Sequence, residues 1–111
     1  MPGMSKERAE PPMPDPVTIG TVRYEALLWG KARGLGQNGG YIEAFDTTTD
    51  EPLWVLKIYD IDYDVDMEPD KLDVFIEALT ADGKGNLHVL DEKGRRFRVD
   101  PSARSVHELV D

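Results

Sequence analysis

The chain is expected to be an all-β protein: an antiparallel meander of about seven short strands arranged as two like units. Three observations predict this. Apolar residues recur with a period of two, the spacing that places every second side chain on one face of a strand. Clusters of Gly, Asp, Asn and Pro separate these runs at short intervals. Part of the pattern also occurs twice along the chain.

Residues 1–16 come first. Pro2, Pro11, Pro12, Pro14 and Pro16 stand among polar residues, and prolines at this density withhold the backbone donors that a helix or central strand needs. This stretch is expected to be a flexible N-terminal arm, and 17–111 a single β-rich domain, since 111 residues leave room for one core.

From Val17 the pattern becomes strand-like and runs through Val22, Tyr24, Ala26 and Leu28. The segment Gly30–Gly40 interrupts it with five glycines in eleven residues, which predicts a long loop. Strands are then expected at Tyr41–Asp46 and from Leu53 to about Tyr59, around a polar turn at Thr47–Pro52. Four more follow at Val74–Thr80, Leu87–Asp91, Arg95–Val99 and Ser105–Leu109. The turns between the last four are Asp82–Asn86, Glu92–Gly94 and Asp100–Ser102.

One stretch reads two ways. Leu72, Phe75, Ile76 and Leu79 have i, i+3, i+4, i+7 spacing, with Asp70 able to cap and Gly83 able to end a short helix near 70–81. The strand reading is preferred there because of the repeat. Glu25-Ala26-Leu27 recurs 52 residues on as Glu77-Ala78-Leu79, and the Gly40–Asp46 stretch recurs 45 residues on as Gly85–Asp91. The glycine-rich loop accounts for the difference.

The stretch Ala44-Phe45-Asp46-Thr47-Thr48-Thr49-Asp50-Glu51-Pro52-Leu53-Trp54 resembles the A-x-D-x-x-T-G-x-x-x-W repeat of quinoprotein-type β-propellers. The resemblance implies two blade-like units, with Trp54 docking between them and Asp46 and Thr49 organising the tight turn. Asp50 stands where that family has glycine. Two blades are too few to enclose the funnel in which a quinone would sit, so no cofactor is expected.

Charge narrows the functional classes. Twenty-two acids against thirteen bases leave a net charge of −9, which argues against a phosphate-binding nucleic-acid surface. Such a balance suits a basic protein partner or a cation. The absence of cysteine excludes disulfides, thiolate catalysis and Cys-based zinc sites. No secretory leader or membrane-length apolar run is read, and a cytoplasmic location is expected.

Gly34-x-Gly36-x-x-Gly39 matches the dinucleotide fingerprint formally, but a strand follows where that motif requires a helix. Two cations on a long loop can instead recruit an anionic group. The candidate binding set is therefore Lys31, Arg33, Gly34, Gly36, Gln37 and Asn38. Asp60, Asp62, Asp64, Asp66 and Glu68 alternate with Ile61, Tyr63, Val65 and Met67. Asp62, Asp64 and Asp66 have the spacing of calcium ligands, with Asp73 twelfth; Met67 replaces the required glycine and Pro69 follows it. The competing reading is an extended edge whose acidic face repels pairing.

His88 and His107 lie in expected strands, with no motif linking them to a nucleophile or metal. The leading expectation is a non-enzymatic protein-interaction module, in its specific form an acidic inhibitor or immunity-type protein binding a basic partner. The alternative is a small-ligand or calcium-binding protein using Asp60–Asp73 or the Gly30–Gly40 loop. A homodimer is compatible with either.

Overall fold

A computed structural model describes residues 11–61 and 73–110. Among these the chain is all-β, with eight strands and one 3-10 turn. The strands are β1 (Val17–Ile19), β2 (Val22–Leu27), β3 (Tyr41–Asp46), β4 (Pro52–Lys57), β5 (Ile76–Ala81), β6 (Leu87–Asp91), β7 (Arg96–Asp100) and β8 (Ser105–Leu109). They form two four-stranded antiparallel sheets, ordered β1-β2-β3-β4 and β5-β6-β7-β8. Each sheet is a simple meander, so every connection inside it is a hairpin.

Alternation builds the core between the sheets. Val17, Ile19, Val22, Tyr24, Ala26, Ile42, Ala44, Trp54 and Leu56 line the inner face of the first sheet. Ile76, Leu79, Leu87, Val89, Phe97, Val99 and Val106 line the inner face of the second. Removing this apolar surface from water, at about 25 cal/mol per Å², is what holds the sheets together.

The turns share one device. Asp46 Oδ1 accepts from the N–H groups of Thr48 and Thr49, at 2.7 and 3.2 Å. Asp82 does the same for Lys84 and Asn86, Asp91 for Lys93 and Arg95, and Asp100 for Ser102 and Ala103. Each short carboxylate thus satisfies backbone donors that the hairpin leaves unpaired. Asp50, at the position where the repeat motif has glycine, adopts φ 64°.

The expected first strand is in fact a hairpin. Gly20, at φ 63°, and Thr21 form a two-residue turn between the paired residues Ile19 and Val22. Glycine at the first central position is what a type II′ hairpin turn demands. Of the stretch 70–81, residues 76–81 form a strand and not a helix. A bulge between Ile76 and Ala78 turns both Ile76 and Leu79 inward, and so imitates helical spacing.

The two repeat matches differ structurally. Ile42 and Leu87 both face inward, and Glu43 and His88 both face outward, so the 45-residue match keeps its facing. The Glu-Ala-Leu match does not: Ala26 faces in and pairs with Ile42, whereas Ala78 faces out and pairs with Leu90. The repeat is also offset by one slot. β3 and β4 are the last two strands of their sheet, whereas their counterparts β6 and β7 are the middle two.

Before β1, the chain lies against both sheets. Met13, Pro14 and Pro16 share a crevice of about 240 Å³ with Glu25, Ala26 and Leu28. Met13 to Asp15 share another with Glu77, Ala78 and Leu79.

Candidate functional site

The glycine-rich loop is packed at its base and exposed at its tip. It opens with a 3-10 turn, Gly30–Arg33. The loop then closes on itself: Gly30 N–H donates to Asn38 O at 3.0 Å, and Leu35 N–H donates to Gly30 O at 2.9 Å. Asn38 Oδ1 also accepts from the Lys31 N–H at 3.1 Å. Glycine at 39 is a steric requirement, because a Cβ there would lie 2.4 Å from the Val74 carbonyl oxygen. A side chain at Gly30 would likewise meet the Gln37 carbonyl.

Gln37 is the keystone of this end. Its side chain is buried, and Nε2 donates to Gly39 O at 2.9 Å and to Tyr59 O at 2.8 Å. Its Oε1 accepts from the Ile61 N–H at 2.9 Å. Asn38 Nδ2 donates to Asp73 Oδ2 at 3.1 Å, and Tyr59 OH donates to Val74 O at 2.7 Å. The loop therefore grips the chain just before and just after residues 62–72.

Aromatic contacts extend the grip to the second sheet. Tyr59 stacks on Phe97 at 5.3 Å between ring centroids, and the Arg95 guanidinium lies 5.0 Å from the Tyr59 ring. Arg95 is in turn fixed by the buried Asp91 carboxylate at 2.7 Å. Trp29, 50% exposed, meets Phe75 edge-on at 5.5 Å.

Arg33 is not a cation held out for a ligand. It makes a bidentate pair with Glu43, at 3.1 and 2.9 Å, and Glu43 is buried on the outer face of β3. That hydrogen bonding raises the Arg33 pKa above its ordinary value. Glu43 stands directly opposite Glu25 across the strand pair, a like-charge contact that would be unfavourable unassisted. Arg33 serves one carboxylate, while Arg23 serves the other at 2.7 Å and also reaches Asp50 at 2.7 Å.

Of the sequence-predicted binding residues, Lys31, Arg33, Gly34 and Gly36 are exposed at the tip. Gln37 is buried and Asn38 half-buried, and both bond the flanks of the acidic run. Asp62, Asp64 and Asp66 lie outside the described residues, as does the proposed acidic edge. Asp60 pairs with Lys57 at 2.8 Å and raises the lysine pKa, while Asp73 is buried. Among the described residues, no three His, Asp or Glu side chains are grouped to hold a metal ion.

The three structural candidates sit together near the opposite end. Asp46 and Thr49 order the β3–β4 turn, with Thr49 Oγ1 accepting from the Glu51 N–H at 3.3 Å. Trp54 is half-buried rather than central. One side of its ring meets Tyr24 at 5.8 Å, and the Arg104 guanidinium from the β7–β8 turn lies 4.9 Å from its centroid. The histidines face outward in a cross-strand row, Thr80–His88–Arg98–His107. His88 Nε2 is 3.7 Å from Asp82 Oδ2.

Glu43 was missed by sequence reasoning. An acid in the middle of the apolar run Tyr41-Ile42-Glu43-Ala44 was a usable signal for a nearby cation. No helix among the described residues is long and apolar enough to cross a membrane. No family model, curated protein or solved structure matches the chain.

Proposed function

We propose that this chain is a non-enzymatic protein-interaction module that offers the acidic stretch between Asp60 and Asp73 to a basic protein partner, as an acidic inhibitor or immunity-type protein would. One observation carries the reading: Gln37, Asn38 and Tyr59 clamp both flanks of that stretch to one end of the sandwich. The stretch holds seven acids and one base, and so accounts for most of the net charge of −9. Partly exposed Trp29 packs on Phe75, two residues after Asp73, and is an amphipathic ring of the kind enriched at binding hot spots. Charge would steer the encounter and the aromatic would anchor it.

The same reading treats the meanders as blade-like units whose outer surfaces and end loops serve recognition. It places the chain in the cytoplasm, which its cysteine-free composition suits.

Affinity capture from a lysate of the source cells tests the reading, with the intact chain compared against Asp62→Asn/Asp64→Asn/Asp66→Asn. A basic protein should be retained in stoichiometric amount, released by salt, and lost with the triple variant. Equal retention by both chains would remove the acidic stretch from the interaction.

A further inference from the structure

We infer that the outer face of the second sheet carries a phosphoryl-binding site, with Arg98 as the central contact and Thr80, His88 and His107 as the surrounding donors. Strand register brings these four residues into one row. Thr80 is paired with His88, His88 with Arg98, and Arg98 with His107. Residues directly opposite share a face and stand about 4.5–5.5 Å apart at Cα. Both imidazoles are therefore within reach of one group held over the Arg98 guanidinium. Thr80, Arg98 and His107 are exposed, and His88 is half-buried.

Such a row costs stability unless something neutralises it. Cations directly opposite one another on neighbouring strands repel, and an imidazole gains its proton between about pH 8 and pH 5. On the first sheet the comparable opposition of Glu25 and Glu43 is relieved by Arg23 and Arg33. Nothing relieves Arg98 in this way. Among the described residues no carboxylate, ring or hydrogen-bonding group reaches its side chain. Arg23, Arg33 and Arg95 each hold a carboxylate, and Arg104 lies over the Trp54 ring.

Two carboxylates border the row and neither closes it. Asp82 Oδ2 is 3.7 Å from His88 Nε2, but the Asp82 carboxylate accepts from Lys84 and Asn86 and orders the β5–β6 turn. Asp100, the next residue on that face of β7, accepts from Ser102 and Ala103. Arg96 is the preceding residue on the same face and adds a further cation.

The donor set selects the ligand. A guanidinium is a planar fork that takes two phosphate oxygens at once. Imidazole N–H groups on either side and the Thr80 hydroxyl supply donors for the remaining oxygens. A phosphoryl group brings a charge of about −1.5 to −2 and three acceptor oxygens, whereas a carboxylate brings one charge and two oxygens. The same chemistry is offered by a phosphorylated side chain of a partner protein and by a small phosphate ester. The site uses no residue of the acidic stretch, so it stands or falls apart from the role proposed for that stretch.

NMR of the intact chain, titrated with inorganic phosphate near about pH 6.5 against chloride at equal ionic strength, tests the site. Saturable shifts are expected at Thr80, His88, Arg98 and His107. Arg98→Gln should raise the dissociation constant by about tenfold or more. Arg98→Lys keeps the charge but loses the fork, and should also bind more weakly than the parent. Thermal melts give a readout that misfolding cannot imitate. Phosphate should raise the melting temperature of the parent above its chloride control. Arg98→Gln should melt no lower than the parent in chloride, because it removes the like-charge opposition, yet lose the phosphate increment.

A phosphoserine peptide that binds more tightly than inorganic phosphate assigns the group to a partner protein. Equal or weaker binding of that peptide assigns it to a small phosphate ester. Shifts that never saturate, the mark of an adventitious ion only, would overturn the inference. So would shifts that persist in Arg98→Gln, or a glutamate peptide that binds as well as the phosphoserine one.

Discussion

The Tyr59 hydroxyl donates to the Val74 carbonyl at 2.7 Å, so the two flanks of the acidic stretch meet at one buried point. Gln37 reinforces it with three hydrogen bonds to backbone groups. Tyr59→Phe removes one bond and leaves Val74 O without that donor, and should cost about 1–2 kcal/mol. Gln37→Leu strips three backbone groups at once, two of them in buried bonds, and should cost more, about 3 kcal/mol. Urea denaturation of the two variants checks the order, and equal costs would show that Gln37 is not the keystone.

Arg33 and Glu43 form the second coupled pair. Arg33→Ala should lower the melting temperature, because it leaves Glu43 buried and charged opposite Glu25. Adding Glu43→Gln to Arg33→Ala should recover part of the loss by removing the stranded charge. Lys31→Ala should change the melting temperature least of the three. A thermal-melt series in which Lys31→Ala melts at a lower temperature than Arg33→Ala would refute the pairing.

Trp54 is braced from two sides yet remains only half-buried. Trp54→Ala should therefore cost about 2 kcal/mol, below the ~3–5 kcal/mol typical of a buried aromatic. Arg104→Ala should shift Trp54 emission to the red, because it uncovers one face of the ring. Iodide should quench Trp29 more than Trp54, which can be read with each tryptophan alone in the chain. Equal quenching would contradict the geometry.

Asp82 sets a pH dependence. The Lys84 N–H, and then Asn86, hold its carboxyl below the ordinary aspartate value, and His88 adds a small contribution. A folded pKa lowered in this way adds stability above the unfolded value of about 3.9 and loses it as pH falls through the folded value. Acid unfolding of Asp82→Asn should thus be less steep below about pH 4 than that of the parent chain. Carboxyl NMR titration of Asp82 checks the sign directly, and a midpoint above the aspartate norm would refute it.

How much of this was legible in the sequence depended on whether a signal was local. Alternation in Tyr41–Asp46 and Leu87–Asp91 and the Asp-led turns marked the strands and their hairpins correctly. The first hairpin was missed although its sign was present: the apolar set changes parity between Ile19 and Val22, as a two-residue turn requires. The bulge at Ile76 and Ala78 cannot be read from spacing, because one inserted residue makes a strand look helical. At the candidate site, the loop was visible but its occupation was not. Gln37 bonds Tyr59 across twenty-two residues, and Arg33 finds Glu43 only once β3 is paired. Such partners are set by tertiary contact, on which local pattern is silent.

The one-slot offset between the repeat and the sheets bears on how such a chain could be extended by duplication. Each copied unit contributes three strands, while β1 and β8 stand outside the copies and complete the two sheets. Inserting a third copy would therefore add a sheet of three strands between two sheets of four. The present pair of copies thus reaches equal four-stranded sheets only because β1 and β8 lie outside the copies, and lengthening it one copy at a time would break that equality.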